Sequence, residues 1–147
     1  MEETHDWEIV LIWAEDDYEI LHATWITAPS KPFVIFASIN KGGTPPDNHT
    51  ATWSVVATSN ALDFAFYSVE IFMDGISLGT AQYLVEGSNI PLGGTVFFRA
   101  MDLGGEGNLS AGDTFSVYGM GESHGWVFHL IWTPDGSDVQ TTMWNTP

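Results

Sequence analysis

Two stretches of this chain, 119 positions apart, are spelled in nearly the same letters. Trp7-Glu-Ile-Val-Leu-Ile-Trp13 recurs as Trp126-Val-Phe-His-Leu-Ile-Trp132. Beyond them Asp16 matches Asp135, Trp25 matches Trp144 and Thr27 matches Thr146. Three matched tryptophans and four other identities over 21 aligned positions make the hairpin 7–29 an internal repeat of 126–147. A strand–turn–strand unit cannot bury its apolar side alone, so its double use points to stacked or pseudo-symmetric β structure.

Strand side chains alternate between faces. One face of each copy therefore carries Trp7, Ile9, Leu11 and Trp13, or Trp126, Phe128, Leu130 and Trp132. The other face still holds Val10 and Ile12, or Val127 and Ile131, a pattern expected of central or covered strands. Three arrangements are open. Both hairpins can occupy equivalent places in one sandwich, or residues 7–29 can be the tail of a preceding copy. In the third, one molecule's hairpin pairs where another molecule's would, by strand addition.

The rest of the chain alternates in the same way. Strands are predicted at 7–13, 20–27, 33–39, 50–58, 64–73, 76–80, 95–101, 114–119, 126–133 and 139–144. Gly, Pro, Asn and Asp clusters separate them, as in 40–48 and 87–94. Asp74-Gly75 suits a two-residue hairpin turn with positive φ at both positions. That turn would set Met73 opposite Ile76 and Ile71 opposite Leu78. The fold expected is all-β: one antiparallel β-sandwich domain over residues 1–147, immunoglobulin-like or jelly-roll-like, of about 9–10 strands.

Charge excludes some partners. Nineteen Asp and Glu stand against three Lys and Arg, a net charge of −16. Such a surface repels phosphate backbones and anionic lipid heads, so neither nucleic acid nor membrane insertion is expected. Without cysteine there is no disulfide and no thiolate metal site. The longest apolar runs are strand-sized, far short of the roughly 20 residues of a membrane helix.

The segment from Asp102 to Asp113 is acidic and glycine-rich. Laid on a twelve-position calcium loop it offers Asp at 1, Glu at 5, Gly at 6 and Asp at 12. The calcium ligands it suggests are Asp102, Glu106 and Asp113 by side chain and Asn108 by its carbonyl. Position 3 is Gly104, and position 12 is the shorter Asp. The same letters also make a connection between strands in which Ser110 and Asp113 bond local backbone. Calcium is the one cofactor this reading admits.

Residues 107–117, 126–136 and 139–144 together resemble the C-terminal part of archaeal type IV pilin-like and related secreted β-domains. The likeness rests on Gly107-Asn-Leu-Ser-Ala-Gly-Asp-Thr-Phe115, then Trp126-Val-Phe-His-Leu-Ile-Trp-Thr-Pro-Asp-Gly136. It covers 102–144 well and 53–101 loosely. The resemblance implies an extracellular β-sandwich on an archaeal cell surface, serving pili, adhesion or assembly. The hydrophobic N-terminal helix of pilins has no counterpart in these residues; a β hairpin stands there.

Other motifs are weak. Gly75-Ile-Ser-Leu-Gly79 has the letters of a nucleophile elbow, but its first glycine is used in a hairpin turn and a strand follows. The five histidines show no zinc spacing. Glu2, Glu3, Asp6 and Glu8, then Glu15, Asp16, Asp17 and Glu19, read as solvated charge. Asn48-His-Thr50 and Asn108-Leu-Ser110 fit the glycosylation triplet and agree with a surface location. The expected function is non-enzymatic: an extracellular module whose partners are other surface modules or itself. The alternative is a carbohydrate-binding module, in which exposed indoles would stack on sugars.

Overall fold

A computed structural model describes residues 5–13, 18–81 and 87–147. The chain falls into two compact units, Met1–Lys31 and Pro32–Pro147. The first is a ribbon of β1 (His5–Trp13) and β2 (Tyr18–Thr27), antiparallel and joined to no third strand among the described residues. The acidic positions 2, 3 and 15–17, with the Asp16 of the repeat, lie outside the described residues.

The second unit is an antiparallel β-sandwich. Its chain order begins with β3 (Val34–Phe36), β4 (Asn40–Thr44), β5 (Asn48–Thr58) and β6 (Leu62–Asp63). After a 3₁₀ turn at Phe64–Phe66 come β7 (Tyr67–Met73), β8 (Ile76–Ala81), β9 (Ile90–Gly93) and β10 (Val96–Met101). It ends with β11 (Asn108–Leu109), β12 (Thr114–Met120), β13 (Gly125–Trp132) and β14 (Ser137–Asn145). One sheet runs β3-β5-β12-β10-β9, with β4 also on β5; the other runs β14-β13-β7-β8. The pair β6–β11 stands apart.

The two sheets meet through aromatic rings. Every second residue of β13 is buried, which sends Trp126, Phe128, Leu130 and Trp132 inward. Phe128 sits at the centre. Its ring lies 4.7 Å from Trp53 of β5, edge to face, and 5.6 Å and 5.9 Å from Phe115 and Phe98. Such rings give roughly 1.5–3 kcal/mol each on burial, and edge contacts add to it. Burial also holds the Tyr67 phenol unpartnered among the described residues and pushes its pKa up.

Several elements differ from those predicted. Residues 40–44 and 90–93 are strands although glycine and proline mark them as loops. Both run along the rim of a sheet already nucleated by β5 and β10, so a neighbour's backbone supplies what propensity lacks. The stretch 64–73 does not run straight. The Asp63 carboxylate accepts the Ala65 N–H at 2.8 Å and caps a short turn before β7. Asp74 and Gly75 take φ of 51° and 80°, as their letters require, and Met73 faces Ile76. Farther from the turn, Ile71 faces Gly79 instead of Leu78, because a bulge skips Leu78, next to Gly79, whose φ is 127°. A bulge also breaks β12 at Gly119, where a Cβ would run into the Thr95 carbonyl.

Candidate interaction surface

The ribbon β1–β2 and the ribbon β13–β14 share one register. Trp7 faces Trp25 and Leu11 faces Leu21; at the matching positions Trp126 faces Trp144 and Leu130 faces Gln140. In each ribbon one residue is then skipped. Ile12 faces Glu19 and Ile131 faces Asp138, so the bulge falls at Ile20 in one and Val139 in the other. A one-residue slip would invert every side chain beyond it. The shared bulge therefore keeps the two inner faces in the same order along both strands.

A polar mark identifies the outer face of each ribbon. His129 Nδ1 lies 3.3 Å from Asp138 Oδ2 and 3.1 Å from Thr141 Oγ1. In the other ribbon His22 stands at the position of Thr141. Its ring nitrogens lie 2.6 Å from Glu8 and 3.4 Å from Glu19, the residue that matches Asp138. Both ribbons thus present a histidine with a carboxylate outward, and no charged residue stands among Trp7, Ile9, Leu11 and Trp13 on the other side.

What covers that apolar side is the difference. Phe128, Leu130 and Trp132 are 0%, 0% and 3% exposed; Phe128 packs on Trp53, Phe98 and Phe115 of β5, β10 and β12, and Trp132 on Phe66 and Tyr67. Their matches Ile9, Leu11 and Trp13 are 53%, 52% and 53% exposed. On its other edge β13 is bonded to β7, whereas β1, among the described residues, is bonded only to β2. The expected central position is filled by β13 and not by β1.

The acidic glycine segment is a loop held by its own carboxylates. Asp102 accepts the N–H groups of Gly105 and Gly107 at 2.7 Å and 2.6 Å. Asp113, fully buried, accepts those of Leu103 and Ser110 at 3.0 Å and 2.6 Å. Glu106 is exposed, and Asn108 belongs to β11, opposite Asp63. A calcium ion bound by Asp102, Glu106, Asn108 and Asp113 would compete with those four amides. Among the described residues no group of three or more His, Cys, Asp or Glu could hold a metal ion.

The remaining motifs resolve locally. Ser77 donates to Glu70 Oε1 at 2.7 Å within the β7–β8 hairpin, so its hydroxyl serves a cross-strand pair. Trp53, Trp126, Trp132 and Trp144 are buried; among the described side chains the half-exposed indoles are Trp7 and Trp13. The sequence pointed to the repeat but not to its uncovered face, since identical letters serve a buried and an exposed ribbon alike. The chain matches no protein-family model, no curated protein and no solved structure.

Proposed function

We propose that this chain is a non-enzymatic module of an extracellular or cell-surface assembly, and that the ribbon β1–β2 joins one module to another. The observation that carries the reading is the pair of ribbons with one register and one bulge, of which β13–β14 has its apolar face buried while, among the described residues, Ile9, Leu11 and Trp13 of β1 stay half exposed. A two-stranded ribbon is marginal in water by itself. Exposed apolar faces of this kind mark contact surfaces. The occupant is a face of like chemistry, a second module presenting indole and aliphatic side chains. The acidic surface supports solubility of the separate modules until that face is engaged.

Sedimentation of the full chain at rising concentration tests this. Discrete multimers are expected, and Leu11→Lys, which sets a charge in the middle of the face, removes them. The variant leaves the urea unfolding of the Pro32–Pro147 sandwich unchanged, because Leu11 lies in the other unit. A chain that sediments as a monomer at every concentration, with or without Leu11→Lys, sinks the reading.

A further inference from the structure

If the apolar face of β1 joins modules, as proposed above, the second module needs a surface that receives it. Charge narrows the choice. No Asp or Glu occurs from 20 to 46 or from 48 to 62, although the chain has nineteen. The strands β3, β4 and β5 therefore carry no acid, and residues 28–58 hold Lys31 and Lys41 against Asp47 alone. The ribbon is the opposite: residues 1–27 hold eight acids and no Lys or Arg. Two ribbons face to face would set eight acids against eight. An incoming ribbon meets least repulsion on the side of the sandwich formed by β3, β4 and β5.

That side also has an apolar patch. Phe33, Ile35 and Val56 are 58%, 47% and 57% exposed. Alternation around the buried Val34 turns Phe33 and Ile35 outward together. Val56 is skipped where Ile35 faces Ala57 and Phe36 faces Val55, and it stands outward at the same place along β3. β3 ends its sheet, with no strand beyond it among the described residues. The other exposed apolar side chains of the sandwich keep acids near them. Leu103 follows Asp102, and Ile76 lies two residues after Asp74. Met143 faces Val127, which faces Phe72, two residues from both Glu70 and Asp74.

We infer that the apolar face of β1 in one copy docks on Phe33, Ile35 and Val56 of a second copy. Ile9, Leu11 and Trp13 then meet a ring and two branched aliphatic groups. The affinity comes from apolar burial, and charge selects the patch. The contact is heterologous: its two surfaces differ, so each copy keeps one of each for a further neighbour and association runs head to tail.

Sedimentation velocity on the full chain tests this by complementation. Leu11→Lys spoils the ribbon and leaves the patch; Ile35→Glu spoils the patch and leaves the ribbon. Each alone is expected to weaken self-association at least roughly tenfold, because a charge buried in an apolar contact has no partner. Mixed in equal amounts, the two chains restore one junction, from the ribbon of the Ile35→Glu chain to the patch of the Leu11→Lys chain. The mixture is therefore expected to give dimers and nothing larger, while the parent chain goes on past the dimer. Val56→Glu repeats the test at a second exposed position, and urea unfolding like the parent's verifies that each variant keeps its fold. A parent chain that associates while Ile35→Glu and Val56→Glu associate equally well overturns the inference. It leaves the reading above standing, since the ribbon then meets another surface, such as a second ribbon. A mixture that stays monomeric while the parent associates has the same meaning. A parent chain that is monomeric at every concentration, as when a ribbon occupies the patch of its own chain, overturns both.

Discussion

The Asp74 carboxylate holds the start of β13 with both oxygens. Oδ1 accepts the Gly125 N–H at 2.8 Å, and Oδ2 lies 2.6 Å from His124 Nδ1. The Gly125 carbonyl in turn accepts the Asp74 N–H at 2.8 Å. The hairpin turn after β7 is thereby tied to the strand that β7 pairs with.

This tie makes stability depend on acid. The Gly125 amide first, then the hydrogen bond and the charge of His124, hold the Asp74 carboxyl below its ordinary pKa. A group whose folded value is depressed stabilises the fold above the unfolded value, and that contribution fades as pH falls through the folded one. For Asp74 the window therefore opens at the usual carboxylate range and extends below it. Asp74→Asn keeps the positive φ and one acceptor but loses the charge. Its urea midpoint is expected to fall slightly at neutral pH. The gap from the parent chain then closes as pH is lowered past the carboxylate range. A gap that stays constant to strong acid would contradict the linkage.

Matched positions of the two ribbons should respond differently to the same change. Phe128→Ala removes a ring packed among Trp53, Phe98 and Phe115 and leaves a hole that the two sheets cannot close. A loss of about 4 kcal/mol is expected in urea unfolding. Ile9→Ala, at the corresponding place in β1, removes a half-exposed side chain. It should leave the unfolding of the sandwich unaltered and weaken self-association.

These two positions also show how much the sequence disclosed. The alternation and the paired tryptophans specified two ribbons, and Asp74-Gly75 specified a turn with both φ angles positive. Such signals are local, written within a few residues of the structure they dictate. Strands β4 and β9 escaped notice because Gly42, Gly43, Pro91 and Gly93 are poor strand formers recruited by neighbours distant in sequence. The bulges at Leu78 and Gly119 are likewise set by pairing with a partner strand. In the loop 102–113 the acidic letters were legible as a turn with oxygen donors. Their assignment to four amides depended on how the backbone closes, which spacing alone leaves open.

The loop makes a sharp comparison of two carboxylates possible. Asp113 is buried, so Asp113→Ala empties a filled place in the interior and breaks the bonds of its carboxylate to the N–H groups of Leu103 and Ser110. The expected cost is about 3 kcal/mol, from two bonds to a charged acceptor and the packing of a buried side chain. Asp102→Ala frees the N–H groups of Gly105 and Gly107, which belong to exposed residues and can bond water. Its cost should be near 1 kcal/mol. Equal losses in denaturant unfolding would show that the two acids do not divide the work by burial.

Salt separates an apolar junction from an ionic one. Each copy carries a net charge of −16, so two copies approaching through their ribbons repel one another at low ionic strength. At about 0.1 M salt the screening length shrinks to roughly 10 Å, and the repulsion between surfaces largely disappears. The apolar contact of Ile9, Leu11 and Trp13 is not screened. Self-association of the full chain should therefore strengthen as sodium chloride is raised, and strengthen further in sulfate, which reinforces apolar burial. An ionic junction, with Glu8 or Glu19 meeting Lys31 or Lys41 of another copy, would weaken over the same range. Sedimentation velocity across a salt series gives the sign directly. Multimers that dissolve as salt is added would assign the contact to these charges instead of the face of β1.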